Sequence, residues 1–144
     1  IAGLFAAKGY NIESLSVGPT EEVDVSRMTI VTEGDDPIIE QITKQLHKLI
    51  DTIKVVDLTY DSFVERELVL IKVQTSTATR SEIMQIAEIF RAKVVDISPR
   101  TLTLEATGSG QKVDAIIKML KPFAIKEIAR TGRVALKREF QGDV

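Results

Sequence analysis

At 144 residues with 44% hydrophobic content, the chain has material for one or two small packed domains. Its net charge of −2 does not favour a nucleic-acid partner. The absence of cysteine excludes disulfides, thiolate zinc sites and cysteine nucleophiles and suits a reducing cytoplasm, while no apolar run approaches the ~20 residues of a membrane span and no signal-peptide pattern is present.

Residues 1–9 read as the end of an amphipathic helix, with Ile1, Leu4 and Phe5 on one face and Gly9 as the residue that stops it. A strand is expected over 11–17, followed by a long hairpin loop from Gly18 to Ser26 and a second strand over Val25–Thr32. Gly34-Asp35-Asp36-Pro37 predicts a helix start, with Asp36 as N-cap and Pro37 at the first helical position. That helix carries Ile39, Ile42, Leu46 and Leu49 on one face. The β-branched run Ile53–Leu58 reads as the next strand, and 59–66 as a short linker.

Beyond the linker, Leu68–Val73 reads as a strand. Thr79 and Glu82 have the spacing of a capping box before a helix presenting Ile83, Ile86 and Phe90. Strands over Val94–Ile97 and Leu102–Ala106 flank the Pro99-Arg100 turn. Gly108-Ser109-Gly110 opens a helix with Val113, Ile116, Ile117 and Leu120, then come a strand over Ile125–Ala129 and a short edge strand over Val134–Leu136.

The order of elements repeats. Ile1-Ala2-Gly3-Leu4-Phe5 matches Ile86-Ala87-Glu88-Ile89-Phe90 at an offset of 85. Ile39, Ile42, Leu46 and Leu49 match Val113, Ile116, Leu120 and Phe123 at 74, Gly34 matches Gly108 at the same offset, and Ile53-Lys54 matches Ile125-Lys126 at 72. The shrinking offset places extra length in the first hairpin. The second copy has the complete order βαββαβ, that of the ferredoxin-like split βαβ. The expected fold is α+β: two tandem ferredoxin-like domains over 1–58 and 67–144, the first copy lacking its opening strand. By comparison with residues 67–85, about 20 residues are expected to precede Ile1.

Catalytic constellations are thin. His47 is the only histidine and has no second His or Cys with which to share a metal. Asp35-Asp36 and Glu21-Glu22-Asp24 read as a helix start and a solvated loop, with a divalent-ion site the weaker reading of each. Gly108-Ser109-Gly110-Gln111-Lys112 lacks the frame of a phosphate loop and reads as a turn plus cap. Arg130, Arg133, Lys137 and Arg138 form a basic tail, either a solvated strand edge or a contact for an acidic partner. No nucleophile–base pairing is visible, so the chain does not read as an enzyme. Asn11, at a helix–strand junction, offers an amide donor and acceptor; turn chemistry is the plainer reading of such a residue taken alone.

Gly-Tyr-Asn-Ile-Glu-Ser-Leu at 9–15, Ser-Arg-Met-Thr-Ile at 26–30, Gln-Leu-His-Lys-Leu at 45–49, Val-Glu-Arg-Glu-Leu at 64–68, Glu-Ile-Phe-Arg-Ala-Lys-Val-Val-Asp at 88–96 and Ile-Ala-Arg-Thr-Gly at 128–132 together resemble one family. It is the small regulatory subunit of acetolactate synthase (acetohydroxyacid synthase), of branched-chain amino-acid biosynthesis. The resemblance runs through nearly the whole chain; its departure is the absent N-terminal strand with its glycine-containing loop. It implies an ACT domain followed by an ACT-like domain, in the cytoplasm or, in a plant, the plastid stroma. It further implies no cofactor in this chain, the ThDP, Mg²⁺ and FAD chemistry belonging to a separate catalytic subunit. This chain would activate that subunit and confer feedback inhibition, usually by valine, with the effector bound where two ACT domains meet in a homodimer. Matched by motif, Asn11 and Ile12 fall in that effector site. The loop around Gly18 is expected to couple the site to the catalytic subunit; a surface loop tolerant of length change is the competing reading.

Other classes have less in their favour. A stand-alone ACT-type amino-acid sensor fits the same elements. An RNA-binding ferredoxin-like domain is disfavoured by the net charge of −2 and the 5% aromatic content. Neither a nucleic acid nor a membrane is an expected partner. A small enzyme on this fold would need a catalytic group that the residues do not offer.

Overall fold

A computed structural model describes residues 7–49 and 51–139; the expected helical face of Ile1, Leu4 and Phe5 lies outside them. The chain divides into two compact units, one comprising residues up to Val64 together with those from Ala135 on, the other Glu65–Val134.

In the first unit, β1 (Asn11–Pro19) and β2 (Ser26–Glu33) form an antiparallel two-stranded sheet. Gly9 precedes it at φ +73, a left-handed conformation that glycine adopts without steric cost and that ends the helical turn at residues 7–8. Leu15 pairs with Ile30 and Val17 with Met28, which puts all four apolar side chains on one face. The expected hairpin loop is shorter than its sequence suggests, because β1 runs on through Gly18 and Pro19, opposite Arg27 and Ser26. Residues 20–25 close it, with the Thr20 N–H and hydroxyl both donating to the Val25 carbonyl, at 3.2 and 2.8 Å.

Helix α1 (Asp36–His47) is capped by Asp35, whose carboxylate accepts from the Ile38 N–H at 3.1 Å. The expected cap, Asp36, lies one residue inside the helix. Asp35 has the extended backbone that a cap requires (φ −76, ψ 174), and Pro37 is tolerated in the first turn because no intrahelical bond needs its missing N–H. Asp36 instead favours the positive end of the helix and accepts a hydrogen bond from the Tyr60 hydroxyl at 2.5 Å.

The strand expected over Ile53–Leu58 does not form; Ile53 is 79% and Val56 53% exposed. In the second unit the last strand of the repeat, β6 (Ile125–Arg130), pairs with the first, β3 (Phe63–Gln74), whereas among the described residues β1 and β2 pair only with each other and 53–58 joins no ladder.

The second unit is complete. Its sheet runs β4 (Lys93–Ile97), β5 (Thr101–Gly108), β3, β6, each neighbour antiparallel, and β7 (Val134–Lys137) also pairs with β3. In the order of the repeat this is second, third, first and fourth strand, the ferredoxin-like arrangement. Strand β3 begins at Phe63, inside the stretch read as a linker, because the alternation of inward and outward residues starts before Leu68. Val69, Ile71 and Val73 of β3 and Leu102, Leu104 and Ala106 of β5 face the same way and are buried. Ile83, Ile86 and Ala87 of α2 (Arg80–Ile89) and Val113, Ile116 and Leu120 of α3 (Gly110–Leu120) join them in one cluster. Such a periodicity-2 stripe under two periodicity-3.6 stripes is what places both helices on one face of the sheet.

The expected Thr79–Glu82 capping box is absent. Thr79 is already in helical conformation (φ −97, ψ −16), and its hydroxyl accepts from the Ser76 N–H at 3.0 Å rather than from an amide of the first turn. At the other end of α2, Arg91 takes φ +54 while the Ala92 N–H reaches back to the Ala87 carbonyl at 2.8 Å, a helix stop usually given to glycine.

Two stability changes follow. Ile71→Ala, in the buried stripe, is expected to cost about 2–5 kcal/mol in denaturant unfolding. Arg91→Gly is expected to stabilise the protein by about 1 kcal/mol, since it removes the Cβ strain of the left-handed residue. A cost below that range for Ile71→Ala, or a loss with Arg91→Gly, contradicts the packing described.

Candidate functional site

The junction of Gly9, Tyr10, Asn11 and Ile12 is built by three local features. The positive φ of Gly9 turns the chain out of the helical turn, β1 begins after Tyr10, and the β1–β2 register shifts between Ile12 and Ser14. Asn11 lies opposite Glu33 and Ile12 opposite Thr32. The Thr32 hydroxyl donates to the Asn11 carbonyl, fixing the backbone while the Asn11 side chain stays exposed. That side-chain amide makes no hydrogen bond among the described residues. Ile12 is half-buried.

Chemically, the junction offers an amide that can donate to a carboxylate and accept from an ammonium. Glu33 stands opposite Asn11 across the ladder, while Ile12, the next residue of the strand, projects from the other face of the sheet. Glu33 and Thr32 were not singled out in the sequence; only the register of β1 against β2 brings them to Asn11. The structure does not bring Gly18 to this junction. Gly18 lies seven residues along β1, opposite Arg27, with open space where a Cβ would stand and a backbone that any residue adopts.

A separate open groove of about 440 Å³ lies in the same unit between α1 and residues 57–60. It is lined by Asp36, Ile39, Glu40, Thr43, Lys44, Asp57 and Tyr60, and includes neither Asn11 nor Ile12. The hydrogen bond to Asp36 and its negative charge hold the Tyr60 phenol above its ordinary range. Its walls carry their own partners: Tyr60 on Asp36, the Thr59 N–H and hydroxyl on Asp57, and Lys44 beside Glu40 at 3.5 Å. His47 sits in the last turn of α1, and no group of His, Asp or Glu among the described residues is arranged to hold a metal.

In the second unit, the basic tail and the glycine turn come together. Glu67 is 4% exposed and lies against the Nε of Arg130 and, at 3.7 Å, the Nε of Arg133. Arg130 also reaches Asp114 at 3.1 Å, and its pKa is raised chiefly by the hydrogen bond to Glu67. The Arg133 guanidinium covers Gly110, where an added Cβ would stand 2.6 Å from its Nε. The Gly110 N–H donates to Glu65 and the Lys112 N–H to Ser109, so two amides of the helix start that resembles a phosphate loop are occupied by the chain itself.

Comparison with known proteins bears on the whole chain. A family model described as the small subunit of acetolactate synthase matches residues 66–139, and one described as an AHAS small subunit-like ACT domain matches residues 1–54. The acetolactate synthase small subunit of Aquifex aeolicus is 61% identical over 140 residues, 96% of this chain and 73% of that protein. That of Mycobacterium bovis is 51% identical over 99% of this chain and 84% of its own length. The crystal structure of the acetolactate synthase small subunit from Thermotoga maritima superposes with a TM-score of 0.84 at 45% identity, covering 95% of this chain and 86% of that one.

The open space at Gly18 gives a direct expectation. Gly18→Ala should fold with a stability within about 1 kcal/mol of the parent, since neither φ nor packing requires glycine there. A larger loss of melting temperature than that corresponds to would show that the β1–β2 hairpin is held in another way.

Proposed function

The chain belongs to the small-subunit family of acetolactate synthase, and on that premise we propose that it is the regulatory partner of a separate catalytic subunit. In this reading it raises the activity of that subunit and makes it sensitive to a branched-chain amino acid, valine foremost. The thiamine diphosphate, magnesium and flavin chemistry belongs to the catalytic partner. The carrying observation is the pair of family matches, one per half of the chain, on a fold made of an ACT domain and an ACT-like domain.

The effector is held where the ACT domains of two protomers meet. Asn11 supplies hydrogen bonds to the charged groups of the amino acid, and Ile12 contributes to the apolar slot for its side chain. Three features support this assignment: the exposed Asn11 amide, its fixed backbone, and the Glu33 carboxylate in register with it. The hairpin that carries Gly18 extends from the same strands and is the element through which the effector site couples to the catalytic subunit.

Asn11→Ala tests the site. Loss of hydrogen bonds to a charged ligand group costs about 1.5–3 kcal/mol, so the dissociation constant for valine in calorimetry should rise about 10- to 100-fold. Sedimentation of the variant should still show the parental dimer. An unchanged valine affinity removes Asn11 from the site.

A further inference from the structure

The net charge of −2 hides an uneven distribution: residues 65–134 hold twelve Lys and Arg against eight Asp and Glu. Three of those acids are spent inside the second unit, Glu67 on Arg130 and Arg133, Asp114 on Arg130, and Glu127 on Lys72. Five of the remaining cations gather at one end of that unit, where β3 and β4 finish and β5 and β6 begin. Arg80 opens α2 there, and Arg100 stands in the turn between β4 and β5. Lys118 lies in the last turn of α3, Lys121 in the short 3-10 turn that follows, and Lys126 near the start of β6. All but the half-buried Arg80 are exposed, and none of the five forms an ion pair among the described residues. The acids of the adjoining segments are Glu82, in the first turn of α2, and Asp96, whose charge acts on Lys72.

The segments that carry these cations are tied together. The Thr75 N–H donates to the Arg100 carbonyl at 2.7 Å, and the Gln74 N–H to the Ala124 carbonyl at 3.0 Å. Arg80 donates through Nη2 to the Ser98 and Pro99 carbonyls at 3.0 and 3.2 Å, while its Nε is buried without a hydrogen-bond partner. The frame on which the charges stand is therefore set before any partner arrives.

We propose that this end of the second unit is a docking surface for an acidic protein surface, and that the protein is the catalytic subunit. The identity of the partner rests on the regulatory reading given above. Like charges gathered on a fixed frame repel one another; an acidic partner relieves that cost, and their field steers its approach. Five cations spread over two helix ends, a turn and a strand start match an extended surface better than one compact anion. Arg80, with Nη2 committed to carbonyls, does not have its whole fork to offer a single phosphate or carboxylate. The basic tail does not serve this purpose, because Arg130 and Arg133 lie on Glu67.

The test is the affinity of the full-length chain for the cognate catalytic subunit, measured by calorimetry at low and high salt. Arg100→Glu/Lys121→Glu should weaken binding about tenfold or more at low salt and flatten its salt dependence. Arg100→Lys/Lys121→Arg keeps both charges and should bind as the parent does. So should Arg66→Glu/Arg91→Glu, which makes the same change in net charge away from this end. Parental affinity in Arg100→Glu/Lys121→Glu, or an equal loss in Arg66→Glu/Arg91→Glu, overturns the docking surface and leaves the regulatory reading standing. Parental affinity accompanied by shifts of the Arg100 and Lys121 amide resonances on adding inorganic phosphate would assign this end to a small anion instead. A parent chain that does not bind the catalytic subunit at all removes the regulatory reading, and the assignment of the partner with it.

Discussion

Strand β3 is the member of the second unit on which the others depend. It hydrogen-bonds β5 along one edge and β6 along the other, and its inward side chains Val69, Ile71 and Val73 lie at the centre of the buried cluster. Both helices rest on the stripe it shares with β5, and β6 has no other partner in the sheet.

Charge plays a different part in the two units. In the second, the buried Glu67 carboxylate is compensated by Arg130 and Arg133, and removing either guanidinium would leave a charge in a poorly solvated place. This holds the Arg130–Arg133 turn against β3 and places Arg133 over a position where only glycine fits without displacing it. On the other face, Lys72 and Glu127 form an exposed cross-strand pair at 2.9 Å, each holding the other in its charged form. At the Asn11 junction of the first unit, the Thr32 hydroxyl fixes the backbone, and the Asn11 side-chain amide makes no hydrogen bond among the described residues.

Much of the fold could be read from local pattern. The stripes of α2 and α3 and the alternation of β5 each announce their buried face, and Gly9 marks its own turn. The readings that fail turn on what a residue meets far along the chain or on a one-residue choice. Asp35 and Asp36 are equally able to cap; backbone angles decide between them. Thr79 has the spacing of a capping residue but already lies within the helical turn. Ile53–Leu58 has strand composition and pairs with no strand among the described residues. The basic tail looked like a solvated edge or an acidic-partner surface because Arg130 and Glu67 lie 63 residues apart in sequence, a pairing that only the fold creates. Asn11 and Ile12 were legible as a motif, whereas their neighbours Thr32 and Glu33 required the strand register.

The regulatory account is tested most directly by reconstitution: acetolactate formation by the cognate catalytic subunit, with and without the full-length chain, across a valine titration. The account predicts a higher rate when the chain is present and a progressive loss of that gain as valine is added. A rate unchanged by the chain, and indifferent to valine, would contradict it.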